Sequence, residues 1–292
     1  MGIKALTLAG AVAVSAGLGA AADPALIGVE VSARAVQPGE LVVMTISTKP
    51  ISPATDTTAP RVRAFDHDLP AFALGPSRWR VLIGLDLDVK AGSHMVTIDA
   101  GRAHRTEALL VRPKRFPTRR LTVDPGFVTP PPEAADRIAG DARLLARAWE
   151  SSAHERLWSE PFARPVREVA NSAFGTRSIF NGLPRNAHGG ADFLSPAGTA
   201  IRAPNAGRVL IARDLYYSGN TIVIDHGLGL FSTLAHLSAF DVHEGDTVTR
   251  LQPLGRVGAT GRVTGPHLHW AIRAGGARVD PLSLLAVLGA GN

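Results

Sequence analysis

Five residues in the C-terminal half carry the chemistry open to this chain. His267 and His269, in Gly265-Pro266-His267-Leu268-His269-Trp270, stand two apart. Residues two apart on a β-strand face the same way. Both imidazoles can therefore enter one cleft, as metal ligands or as acid/base groups near neutral pH. His188 and Asp192, in His188-Gly189-Gly190-Ala191-Asp192, stand four apart. On a helix that spacing would share a face. The two glycines, and Pro196 downstream, argue instead for a loop entering a strand, with glycine letting the backbone turn so that both side chains converge. His236 follows a candidate hairpin over 222–234.

There are no cysteines, so disulfides, thiolate nucleophiles and thiolate metal sites are excluded. A metal here must be held by His, Asp or Glu. A catalytic zinc takes three protein ligands at about 2.0–2.2 Å and keeps one position open. His188, Asp192 and one of the His267/His269 pair supply two imidazoles and a carboxylate. Two histidines remain. One can take a proton from water and the other can stabilise an oxyanion. This set meets the needs of metal-assisted amide hydrolysis. Competing chemistries are poorly supplied: the chain has no G-x-S-x-G, S-x-x-K or G-x-x-x-x-G-K-[ST]. His154-Glu155 does not open H-E-x-x-H, because position 158 is Trp.

The elements that must position these groups read as mainly β. Ile27–Val31, Leu41–Ser47, Trp79–Leu85, His94–Ile98 and Ala108–Val111 are strand candidates between Pro/Gly turns, the pattern of a small β-sandwich over residues 23–115. His67, between Asp66 and Asp68, reads as part of a solvated acidic loop. Residues 116–160 read as a basic, Pro-rich linker and then a helix from Glu133 to about Trp158 that joins two domains. After Pro161 lysine is absent, and six of the ten histidines lie between 188 and 269. Strand candidates at Gly207–Ala212, Thr221–Asp225, Leu230–Leu234 and His267–Ile272 predict an antiparallel β domain with little helix over 161–292.

The ordered set Phe174-Gly175-Thr176-Arg177, Phe180-Asn181-Gly182-Leu183-Pro184-Arg185, His188-Gly189-Gly190-Ala191-Asp192-Phe193, Asp225-His226-Gly227, Ala235-His236-Leu237-Ser238, Thr260-Gly261 and Thr264-Gly265-Pro266-His267-Leu268-His269 resembles the M23 family of zinc metallopeptidases, the LytM/lysostaphin-like murein endopeptidases. The match runs roughly from Phe174 to Leu284. The resemblance implies an antiparallel β-sheet domain with a groove over the sheet, and zinc held there by His188, Asp192 and His269. It implies His267 as general base and His236 as transition-state stabiliser. The substrate implied is peptidoglycan, cut within its stem peptides or cross-links. Leu234 and Leu230 stand where many relatives carry Tyr, and Leu251 replaces a Gly, which bears on groove shape. Asn181 and Arg185 are candidates to line the groove, and His226 reads either as a support behind the metal ligands or as structural. The N-terminal β region and helix resemble, more weakly, the extra domain of some envelope members. The competing reading is a non-catalytic M23-like regulator that binds and activates a cell-wall amidase. Such regulators lack part of the metal-binding set, whereas all five positions are occupied here.

Residues 1–22 read as an export signal. Lys4 is the only charge before Asp23, an apolar small-residue run follows, and Ala20-Ala21-Ala22 offers a cleavage pattern. The expected location is therefore the periplasm or cell envelope, without stable membrane insertion after cleavage. The net charge is +6. For an exported protein this favours an anionic wall or membrane surface over nucleic acid.

Overall fold

The computed structural model describes residues 26–48, 58–122, 129–159, 161–170 and 174–290. The expected export signal lies outside them. No helix among the described residues is long and apolar enough to cross a membrane.

Alternating apolar residues build the N-terminal unit. Its strands are β1 (Ile27–Ala33), β2 (Leu41–Thr48), β3 (Arg61–Ala64), β4 (His67–Leu69), β5 (Ala71–Gly75), β6 (Arg78–Gly84), β7 (Gly92–Ala100) and β8 (Ala103–Val111). They form two four-stranded sheets, β1-β2-β6-β5 and β4-β3-β7-β8. Val42, Met44, Ile46, Val81 and Ile83 of one sheet pack on Val62, Val96, Ile98 and Leu109 of the other. β3, β4 and β5 lie outside the strand candidates, and His67 opens β4 rather than lying in a loop. The reason is a two-residue turn in which Phe65 (φ 49°) and Asp66 (φ 62°) both take the left-handed conformation. That turn suits a tight hairpin.

Between the two units the chain is more structured than a linker. β9 (Thr118–Leu121) runs parallel to β10 (Arg177–Phe180), which continues into a hairpin with β11 (Leu183–Pro184). Helix α1 (Ala135–Glu150) stops eight residues short of Trp158. Its continuation is diverted by the buried carboxylate of Asp225, which accepts from the Ser152 hydroxyl at 2.8 Å and from the Ala153 N–H at 2.7 Å. Leu144, Leu145, Ala148 and Trp149 pack on Ile211, Val223 and Phe231. The helix thus covers a sheet rather than spacing two domains.

That sheet is the C-terminal core. β12 (Gly190–Phe193), β14 (Gly207–Leu215), β15 (Gly219–Asp225), β16 (Leu230–Phe240), β17 (Thr247–Val248) and β19 (Leu268–Ala274) lie in the order β12-β19-β16-β15-β14-β17. β13 (Ala200–Arg202), β18 (Pro253–Val257) and β20 (Ala277–Val279) join its margins. A second helix, α2 (Pro281–Leu288), was not foreseen, although Asp280 caps the Leu282 N–H and Pro281 opens the first turn. One sheet face buries Phe193, Ile222, Leu234, Leu268, Trp270 and Ile272 against α2 and against Leu41, Val43, Phe72 and Leu82 of the sandwich. The opposite face carries Phe231 and Val223 under α1 at one end and His269 at the other.

The N-terminal sandwich is also fastened by charge. Arg34 donates to Glu40 at 2.8 Å and to Asp280 at 2.6 Å, and the Leu41 N–H donates to the Ser283 hydroxyl at 2.9 Å. Arg278 makes paired contacts with Asp86.

His226 sits at the bottom of the core, fully buried. The Ala206 carbonyl can only accept, so Nδ1 donates to it at 2.7 Å, and Nε2 accepts from the Ser232 hydroxyl at 2.8 Å. Trp270 Nε1 in turn donates to Ser232 at 3.3 Å. The relay needs the neutral ring, and burial pushes the His226 pKa down to about 4 from 6.5. The unfolded chain therefore binds one more proton than the native state between those values, so stability falls as pH drops through them. His226→Gln is expected to lower stability at pH 7 by about 1–3 kcal/mol through the broken relay. It should also remove about 1.4 kcal/mol per pH unit from the slope of stability between pH 6.5 and 4. Urea unfolding across that range checks both, and an unchanged slope would refute the buried-neutral assignment.

Candidate metal centre

Strand register brings the predicted residues together. Asp192 on β12 lies directly opposite His269 on β19, and Ala235 on β16 lies opposite the same His269. Side chains in register across neighbouring strands share a face, so Asp192, His269 and Ala235 form one row. The row beside it, Ala191, Trp270 and Leu234, points into the core and is buried. His188 precedes β12 in a loop. Its N–H donates to the Thr176 carbonyl at 2.9 Å and its carbonyl accepts from Gly175 at 2.8 Å. The loop-into-strand geometry is the one expected from Gly189-Gly190.

Three potential ligand atoms converge. His188 Nε2 is 3.0 Å from Asp192 Oδ1 and 3.1 Å from His269 Nδ1, and His269 Nδ1 is 2.8 Å from Asp192 Oδ1. Tetrahedral bonds of about 2.0 Å place ligand atoms about 3.3 Å apart. The triangle is slightly tighter than that, and its donor set of two imidazoles and one carboxylate suits zinc. Such lone-pair atoms at these distances require either shared protons or a cation among them. All three residues are partly buried. Burial works to raise the Asp192 pKa, but the hydrogen bonds and charges of His188 and His269 prevail and hold it well below the usual carboxylate range. Burial lowers the His269 pKa, against the opposing pull of Asp192.

The other two histidines flank this triangle. His267 lies just before β19, bridged to Gly258. Its Nδ1 donates to the Gly265 carbonyl at 2.9 Å, which leaves Nε2 as an acceptor in the neutral ring, 3.9 Å from Asp192 Oδ1. His236 Nδ1 likewise donates to the Thr260 carbonyl at 3.0 Å. The His236 and His267 ring centroids are 4.8 Å apart, and those of His236 and His269 are 6.0 Å apart. Burial, with the neighbouring His269, pushes the His236 pKa down to about 4.

His236 reaches this face only through a backbone irregularity. In a regular strand it would follow Ala235 to the opposite side. It instead has φ 67°, in the left-handed region, and the β15–β16 register shifts there. The bulge lets Leu234 and Leu237, three apart, both enter the core. That Leu-x-x-Leu spacing was the available sequence signal. The strained backbone is secured by the His236 N–H donating to Ser218 at 3.0 Å.

Several positioning groups were not foreseen. A Cβ on Gly190 would lie 2.4 Å from the Trp270 carbonyl and 2.7 Å from both Cε1 and Nε2 of His269, so a bare α-carbon makes room for the neighbouring strand and for that ring. Thr260 both accepts from His236 and, through its hydroxyl, donates to the Leu237 carbonyl at 2.8 Å. Thr260 and Gly265 were read as motif residues without a role. Asn181 sits in the β10–β11 turn with φ 49°.

Comparisons with known proteins point the same way. The family model for Peptidase family M23 matches residues 186–281. Peptidoglycan DD-endopeptidase ShyA of Vibrio cholerae is 41% identical over 95 residues, which cover 32% of this chain and 22% of that protein. Peptidoglycan DD-endopeptidase ShyB of the same organism is 37% identical over 147 residues, covering 50% of this chain and 34% of that protein. The chain thus spans between a fifth and about a third of the length of these curated relatives. A crystal structure described as a peptidase M23 from Pseudomonas aeruginosa superposes with a TM-score of 0.67 at 30% identity, over 86% of this chain and 95% of that one. Because that likeness extends through the sandwich as well as the histidine-bearing sheet, the chain belongs to peptidase family M23.

Proposed function

We propose that this protein is a zinc-dependent endopeptidase that hydrolyses peptide bonds in peptidoglycan stem peptides or cross-links during wall growth or remodelling. The observation that carries the reading is the convergence of His188 Nε2, Asp192 Oδ1 and His269 Nδ1 within 2.8–3.1 Å of one another, with two more imidazoles beside them. The DD-endopeptidase names of the Vibrio relatives support the substrate. Residues 161–292 would carry the reaction, residues 116–160 would join and brace it, and residues 23–115 would be a docked accessory unit. Export to the periplasm or envelope through residues 1–22 belongs to the same reading.

His188, Asp192 and His269 would hold the zinc. When bound, the ion supplies Lewis acidity toward the scissile carbonyl and the attacking water. His267 takes the proton from that water at Nε2, since the Gly265 carbonyl keeps the other ring proton on Nδ1. Protonated, the same ring can pass the proton to the leaving amine. His236 stabilises the developing oxyanion. Its resting tautomer has no proton on Nε2, because Thr260 holds the proton on Nδ1. It can donate there only as the imidazolium, so that role needs a proton from solvent in addition to the one that His267 passes to the leaving amine. The bulge and the Thr260 contact hold it ready for that step.

Digestion of purified sacculi by zinc-loaded protein lacking residues 1–22 tests the reading, with released muropeptides identified by mass. Loss of cross-linked dimers is expected, and His269→Ala should abolish both zinc binding and cleavage. Full zinc stoichiometry in that variant would defeat the ligand assignment. His267→Ala should keep its zinc while turnover falls by about 10²–10⁴; near-normal rates would remove it as the base. Gly190→Ala should weaken zinc affinity by about tenfold or more by pushing β12 from the Trp270 carbonyl and displacing the His269 ring, as competition with a chelating dye would measure. Unaltered affinity would mean that the ring relaxes freely.

A further inference from the structure

Away from the histidines, at the seam between the sandwich and the segment after α1, Arg80, Arg156 and Trp158 gather, and among the described residues the Arg80 Nε and Trp158 indole N–H groups are buried without a partner. Arg80 on β6 shares its sheet face with Leu82 and so turns toward the C-terminal unit. Its Nε is buried and has no hydrogen-bond partner. Phe72 on β5 is the cross-strand partner of Arg80. The Phe72 ring meets Trp158 edge-on, with centroids 5.6 Å apart. Trp158 is 6% exposed, and its indole N–H is also buried without a partner. Arg156 lies over both rings, 5.0 Å from the centroid of Phe72 and 5.2 Å from that of Trp158. Burial disfavours the charge of Arg80, and the nearby Arg156 and Arg78 add to this. Among the described residues no carboxylate pairs with Arg80 or Arg156, whereas Arg78 has Glu30 at 3.7 Å.

Buried N–H groups are nearly always paired, and leaving one unmet is costly. Two such groups in one cluster, beside two guanidinium groups that repel each other, make a set of donors with no acceptor. An oxyanion seated among these side chains would supply the missing acceptor and offset the repulsion between the guanidinium groups. The site is open on the Arg156 side, which is exposed. We propose that Arg80, Arg156 and the Trp158 indole form an oxyanion-binding site at this seam, able to take a carboxylate or a phosphate group. An exported basic protein would meet the first on wall peptides and the second on phosphate-bearing envelope polymers or headgroups. Binding there would fasten β6 of the sandwich to the segment that leads into the C-terminal unit. The site is separate from the metal centre and does not depend on the proposed hydrolysis.

The test reads the site itself. The chain has four tryptophans, so its indole N–H signals are few in a nitrogen-correlated NMR spectrum, and Trp158→Phe assigns the relevant one by removing it. Zinc-loaded protein is titrated separately with inorganic phosphate and with acetate, both at constant ionic strength in chloride. The Trp158 signal is expected to move and saturate with at least one of the two. Arg80→Met should weaken that response at least about tenfold, as loss of a charge-assisted contact requires. If Arg80→Met fails to give a dispersed spectrum, Arg156→Gln carries the same comparison. Saturation by phosphate alone assigns a phosphate-bearing ligand, and saturation by acetate assigns a carboxylate. A Trp158 signal that moves with neither anion, or that responds equally in wild type and variant, overturns the site.

Discussion

Three lone-pair atoms held about 3 Å apart are the constraint on which this molecule turns. Left without a cation or shared protons, two imidazole nitrogens and a carboxylate oxygen facing one another repel, and partial burial sharpens that repulsion. Everything around them resists relaxation. Asp192 and His269 are fixed by strand register, His188 by two backbone hydrogen bonds to the loop at 175–176, and the His269 ring occupies space that a side chain on Gly190 would take. A preformed set of this kind spends folding energy in advance, so that a metal meets its ligands already in place.

The sheet beneath has two faces with different tasks. One is sealed by α2, by the margins of the sheet and by the outer face of the sandwich. The other is sealed only at one end, by α1, and carries the histidines at the other. A regular antiparallel sheet would offer His269 and Asp192 to this open face and withhold His236. The bulge at Ala235-His236 changes that, at the cost of a left-handed φ at a non-glycine residue. Strain at that point is matched by hydrogen bonds that His236 donates to the carbonyls of Ser218 and Thr260, which lie in two separate loops.

The N-terminal sandwich meets the C-terminal unit through both an apolar face and a partly buried ion pair, with Leu41, Val43, Phe72 and Leu82 joining the C-terminal core and Arg34 reaching Asp280. Arg34, held between Glu40 and Asp280, has partners for its charge, whereas Arg80 in the same interface region has none among the described residues. That contrast separates a seam completed by the protein from one completed by something it binds.

The local chemistry was legible in the residues. His-x-His on a strand, His-x-x-x-Asp across glycines and the absence of cysteine pointed to a metal held by imidazole and carboxylate, because period-two alternation and ligand chemistry are local rules. The mainly β architecture and the nine longest of the twenty strands among the described residues were legible for the same reason. What no local rule contains is which strand lies beside which. The β12–β19–β16 order that places Asp192 opposite His269, residues 77 apart in sequence, arises from long-range pairing. So do the early stop of α1 at Asp225, the bulge that turns His236 to the open face and the pairing of β9 with β10. These depend on packing partners far along the chain, and only the folded core selects among them.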